Sequence, residues 1–86
     1  MPSYRVELKL SARKELEHLS NQIIKRIIRK LEALAFNPRP PGCKKLKGGD
    51  KEWRLRVGDY RVVYTIDGQK LLVVVTRLRH RGEVYE

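Results

Sequence analysis

The chain has 86 residues, 20 of them Lys or Arg and 10 Asp or Glu, for a net charge of +10. That length allows one small domain with little core to spare, and that charge describes a partner more than a fold: phosphate backbones first, acidic proteins second. A lone cysteine, Cys43, excludes an intrachain disulfide and suits a reducing cytosol. The closely spaced charges of MPSYRVELKL exclude a signal peptide, and no apolar run is long enough to span a bilayer, so a cytoplasmic location without membrane contact is expected.

Tyr4 to Leu10 alternates Tyr4, Val6, Leu8 and Leu10 with Arg5, Glu7 and Lys9. This predicts a strand with one wet face, at or near a sheet edge. Ser11 is the expected N-cap of a short helix with Ala12, Leu16 and Leu19 as its apolar stripe. Ser20 or Asn21 caps a second helix, in which Ile23, Ile24, Ile27, Ile28, Leu31, Leu34 and Ala35 fall at helical spacing. Lys25, Arg26, Arg29 and Lys30 lie between them, and Asn37-Pro38 stops the helix because a residue before proline avoids helical dihedrals. The two helices form a hairpin whose stripes need a sheet to cover.

Asn37 to Lys51 reads as a loop. Lys44, Lys45 and Lys47 cluster there around Leu46, read as a packing anchor; the lysines serve either solvation or phosphate tracking. Then comes WRLRVGDYRVVY. Trp53, Leu55 and Val57 alternate with Arg54 and Arg56, Gly58-Asp59 turns the chain, and Tyr60, Val62 and Tyr64 alternate with Arg61, Val63 and Thr65. With a period of two, Trp53, Tyr60 and Tyr64 face inward and Arg54, Arg56 and Arg61 face out. Asp67-Gly68 signals a second turn. Leu71 to Leu78 is almost continuously apolar, which predicts a central strand buried on both faces. It ends in Arg77, Arg79, His80 and Arg81, and Glu83-Val84-Tyr85 closes the chain.

The expected fold is a single α+β domain over residues 1–86. It has an N-terminal strand, a two-helix hairpin, then three to four strands in a mainly antiparallel sheet with both helices on one face. The other face carries Arg54, Arg56, Arg61, Arg77 and Arg79.

Several chemistries lack their residues. There is no Gly-rich nucleotide loop, and no nucleophile motif around Ser3, Ser11 or Ser20. His18 and His80 have no partners at metal-ligand spacing, and Asp50, Asp59 and Asp67 fall in turns, where their side chains cap local backbone. No carboxylate cluster for a magnesium-dependent nuclease is evident, so the expected site uses neither metal nor cofactor. RNA brings its own nucleophile, the 2′-hydroxyl. Arginines can position the phosphate and stabilise charge on it, but with a pKa above about 12 they make poor bases. Tyr85 is the candidate to stack on a splayed base.

The stretches WRLRVGDYRVVY, NPRPPGCKKLKG and RHRGEVY together resemble the RelE/ParE superfamily of bacterial and archaeal toxins. The resemblance covers nearly the whole chain. Its RelE branch implies a ribosome-dependent endoribonuclease that cuts the mRNA codon in the A site by 2′-hydroxyl attack. It also implies neutralisation by a cognate RelB-like antitoxin, and contact with operator DNA only through that complex. Carried over by position, the branch's catalytic residues fall on Arg54, Arg56, Arg61, Tyr85 and Arg79, or Arg81 if the alignment slips by two. Its best-known members have lysines at Arg54 and Arg56. Either Arg56 therefore acts by electrostatics, or His80 or a ribosomal group takes the proton. Lys25, Arg26, Arg29, Lys30, Lys44, Lys45, Lys47, Arg77 and Arg81 are the expected contacts to RNA or the ribosome. A ParE-like inhibitor of DNA gyrase, or a module that binds RNA or the ribosome without catalysis, fits the same chain.

Overall fold

The structure, a computed structural model, describes residues 3–46 and 51–80. In chain order the elements are β1 (Arg5–Leu8), α1 (Leu10–Glu17), α2 (Asn21–Phe36), β2 (Lys44–Lys45), β3 (Glu52–Val57), β4 (Tyr60–Asp67) and β5 (Leu72–His80). The strands form one sheet in the order β1-β5-β4-β3-β2. The fold is α+β, as its alternating and helical patterns predict. The sheet is mixed: β1 runs parallel to β5, and every other pair is antiparallel.

One apolar layer joins both helices to the sheet. α2 buries Ile27, Leu31 and Leu34, and α1 buries Ala12. The strands answer with Leu55, Val57, Val62, Tyr64, Ile66, Val73, Val75 and Leu78. Burying side chains of this size stabilises by about 1.5–3 kcal/mol each before entropy is counted. Trp53 and Tyr60 pack against this core while half-buried. Tyr64 lies wholly inside, and its hydroxyl donates to the Pro38 carbonyl at 2.9 Å. Burial pushes its phenol well above the ordinary range, with nearby Cys43 adding to the shift.

Ser20 does cap α2, its hydroxyl accepting from the Ile23 N–H at 3.4 Å. Ser11 does not cap α1. That helix begins at Leu10 with Lys9 in the cap position, which has no side-chain acceptor to offer. The Ser11 hydroxyl donates instead to the Thr76 carbonyl of β5 at 3.1 Å. The edge of β5 explains the difference. β1 pairs with β5 only as far as Val75, and α1 takes over beyond it. Lys9 N–H bonds the Val75 carbonyl, Ser11 that of Thr76, and the Glu15 carboxylate accepts from the Leu78 N–H at 3.0 Å. A strand edge that would invite another chain is thereby closed by one backbone N–H and two side chains.

The stretch read as loop contains β2, whose Lys44 and Lys45 pair with Arg54 and Trp53. Two charged residues carry no strand pattern of their own; the long neighbour imposes it. Leu46 is half-buried and is tied by its backbone N–H to the Glu52 carbonyl. β5 is an interior strand, but the middle of the sheet is β4, and burial on β5 alternates. Val73, Val75 and Leu78 are buried, whereas Leu72, Val74 and Thr76 are half-buried. The alternation changes phase at a β-bulge: Tyr64 pairs with Val75 and Val63 with Arg77, leaving Thr76 as the extra residue. The Thr76 hydroxyl donates to the Val63 carbonyl at 3.2 Å across the irregularity.

Candidate nucleic-acid interface

The bulge decides which face the arginines of β5 occupy. Strict alternation would place Arg77 and Arg79 on the side of Val73 and Val75, in the core. One inserted residue moves Leu78 inward and turns Arg77 and Arg79 to the side away from the helices. There the pairing lines up Arg56 with Arg61 and Arg61 with Arg79 across three strands. The next row runs Lys44, Arg54, Val63 and Arg77 across four.

Directly opposed residues of antiparallel strands have Cβ atoms about 4.5–5.5 Å apart, and like charges so placed repel. Two such rows concentrate positive charge on one face. Arg54, Arg61 and Arg79 are half-buried, and the Nε atoms of Arg54 and Arg61 are shielded from solvent. A guanidinium group is a planar fork of donors whose geometry suits phosphate oxygens. Val63 lies in the second row between Arg54 and Arg77 and is only 3% exposed, although it stands outside the main core cluster.

Glu15 is a member of this neighbourhood that the sequence did not reveal. Its carboxylate spans the end of β5, accepting the Leu78 N–H through one oxygen and facing Arg79 Nε at 3.5 Å through the other. Only tertiary structure brings a residue of α1 to the far end of the chain, so no local spacing could have signalled it. Arg39 and Lys51 are also absent from the sequence reading. Arg39 sits over the Trp53 ring, 5.1 Å from its centre, and both residues line a cavity of about 460 Å³ together with Lys45. Lys45 therefore belongs to the opposite end of the hairpin from Arg61.

The other predicted residues divide. His80 pairs with Tyr60, and the two rings meet edge to face with centroids 5.3 Å apart. Tyr60 belongs to the helix-side face, so His80 projects away from Arg61 and Arg79. Arg56 shares the register of Arg61, but its Nε donates to the Gly58 carbonyl at 3.1 Å. Lys25, Arg26, Arg29 and Lys30 lie exposed along α2. Lys47, Arg81 and Tyr85 lie outside the described residues. No helix among the described residues is long and apolar enough to cross a membrane.

A family model described as the ParE toxin of type II toxin–antitoxin systems, parDE, matches residues 6–85. The chain belongs to the RelE/ParE toxin superfamily. Within it, toxin RelE3 of Methanocaldococcus jannaschii is 31% identical over 77 residues, 85% of each chain. A chain of the RelE–RelB complex from Pyrococcus horikoshii OT3 superposes with a TM-score of 0.84 at 28% identity, covering 95% of this chain and 99% of that one. The intact E. coli RelBE toxin–antitoxin complex gives a TM-score of 0.78 at 26% identity, over 94% and 99%. This RelE/ParE toxin thus shares its described architecture with chains of RelE–RelB complexes.

Proposed function

We propose that this toxin is a ribosome-dependent mRNA endoribonuclease, held inactive by a RelB-like antitoxin. The observation that carries the reading is the opposition of Arg61 and Arg79 on the face away from the helices, with Arg54 in the adjacent row. Attack by a 2′-hydroxyl on the neighbouring phosphate adds negative charge to the non-bridging oxygens. Fixed guanidinium groups stabilise that charge, and removing one preorganised donor of this kind typically costs on the order of 10²–10³ in rate. The ribosome supplies the mRNA in its A site and, with His80 turned to the other face, also supplies the proton acceptor. Tyr85 stacks on a base beside the cut.

The antitoxin fits a different part of the surface. Val6, Leu8, Ile28, Leu31 and Ala35, with Glu32 beside them, line a largely apolar groove of about 250 Å³ between β1 and α2. Ile28 is 38% exposed there. An acidic, partly disordered chain folding into that groove and onto the arginine face would neutralise the toxin and carry the pair to its operator DNA.

Primer extension on ribosomes translating a defined mRNA tests the reading. Cuts within codons that appear only when ribosomes translate are the expected result; intact mRNA under a growth-arresting dose would overturn it. The ParE description of the matching family supports a second reading, inhibition of DNA gyrase. Gyrase-dependent DNA breaks with mRNA left whole would establish that alternative.

A further inference from the structure

Arg79 ends the row that Arg56 and Arg61 begin, and an acid lies beside it at the sheet edge. The neighbouring strand, β1, pairs with β5 only from Leu72 to Val75. Past that point α1 lines the edge, and its contacts follow the strand almost residue by residue. Lys9 N–H donates to the Val75 carbonyl at 2.9 Å, the Ser11 hydroxyl to the Thr76 carbonyl at 3.1 Å, and Leu78 N–H to the Glu15 carboxylate at 3.0 Å. Ala12, on the same helix, is wholly buried. The Glu15 carboxylate is thus carried on an anchored element and tied to the backbone of Leu78, itself a core residue.

The second oxygen of that carboxylate lies 3.5 Å from Arg79 Nε. Exposed ion pairs contribute little, because two long side chains are immobilised for a screened attraction. Here one partner is already held, and the two side chains are only 28% and 32% exposed. Arg61 stands directly opposite Arg79 on β4 and repels it. Glu15 supplies the attraction that holds the guanidinium at its end of the row. The same negative charge opposes an incoming phosphate. For anion affinity alone the acid is a disadvantage; for the orientation of one guanidinium it is a gain.

We infer that Glu15 is a positioning residue for Arg79, setting its guanidinium against the reacting phosphate at some expense in RNA affinity. This deepens the endoribonuclease reading and rests on it for what Arg79 acts upon, while the hold of Glu15 on Arg79 is testable without cleavage.

E15Q separates the two duties of the side chain. Its amide oxygen still accepts from Leu78 N–H, but the charge facing Arg79 is gone. The full chain and the variant are compared, with urea midpoints as the check on folding. On programmed ribosomes E15Q is expected to lower the maximal rate roughly three- to tenfold, while the half-saturating ribosome concentration stays level or falls by up to about threefold. A carboxylate acting only through net charge predicts instead that rate and affinity rise together. A merely structural contact predicts a lower urea midpoint with the maximal rate of the folded protein unchanged. Either result overturns the inference. In an R79A background, E15Q should change the maximal rate by less than about twofold. An undiminished effect there takes the role away from Arg79 and likewise overturns it. The Arg79 Nε–H resonance is then compared in the two chains without ribosomes. E15Q is expected to shift it and to speed its exchange with water by about fivefold or more, with the Leu78 amide still protected. An unmoved resonance overturns the hold. If the unaltered chain cuts no mRNA, the endoribonuclease reading fails, and the Nε–H comparison still decides whether Glu15 holds Arg79.

Discussion

The two faces of the sheet are built from the same strands but answer to different demands. The helix-covered face packs Val62, Tyr64, Val73, Val75 and Leu78 to near-complete burial. The opposite face sets Arg61 against Arg79 and Arg54 near Arg77, charges that gain nothing from one another. Apolar burial is concentrated on the first face, and positive charge on the second. If so, substitutions should separate cleanly by face.

The largest effect tests the open face. Arg61→Ala combined with Arg79→Ala should reduce single-turnover mRNA cleavage on programmed ribosomes by on the order of 10³ or more. Its unfolding free energy in urea should stay within about 1 kcal/mol of the parent, since removing like charges offsets lost side-chain packing. A double variant that melts early would break the comparison. On the covered face, Leu34→Ala should cost about 2–5 kcal/mol in urea unfolding, through lost transfer energy and a residual cavity. At temperatures where it remains folded, its cleavage rate should match the parent.

Tyr64→Phe sharpens the same contrast through pH. Deleting the hydroxyl leaves the Pro38 carbonyl without its donor, at a cost of about 1–3 kcal/mol near neutrality. The folded phenol titrates above its ordinary value of 10.0, so the unfolded chain releases this proton first as pH rises. The associated stability is complete below about pH 10 and declines above it. The parent's stability should therefore fall more steeply than the variant's in alkaline urea titrations. The smallest effect concerns the residue that joins the two regions. Glu15→Ala removes the acceptor for Leu78 N–H and the neighbour of Arg79, and should lower stability by roughly 0.5–1.5 kcal/mol. Cleavage should fall by at most about tenfold, the equivalent of about 1.4 kcal/mol in the barrier.

Faces and periods were legible in the sequence wherever a strand alternates without interruption. Trp53 to Tyr64 needed only a period of two, and Ile27, Leu31 and Leu34 only a period of 3.6. β5 was harder, because its run of valines masks the phase and Thr76 shifts it. Strict alternation puts Arg77 and Arg79 beside Val73 and Val75 in the core; it is the bulge at Thr76 that turns them to the open face. The same shift sends His80 to Tyr60. Contacts between distant elements were not legible at all. Glu15 meets Arg79 across 64 residues, and Arg26 meets the Gly58 turn because α2 packs over β3. Ser11 illustrates competition between local and tertiary partners: it has the chemistry of a cap, but the open edge of β5 claims its hydroxyl.

The parallel pairing of β1 with β5 has a consequence for biosynthesis. Arg5 pairs with Leu72, and Leu8 with Val75, so the first and last of the described strands are partners in the sheet. Contacts of such long sequence separation form late, since a long loop must close before they reward it. The β3–β4 hairpin is able to form on a nascent chain, but Arg77 and Arg79 join it only after β5 has emerged as well. The row of Arg56, Arg61 and Arg79 is therefore complete only once β5 has joined the hairpin.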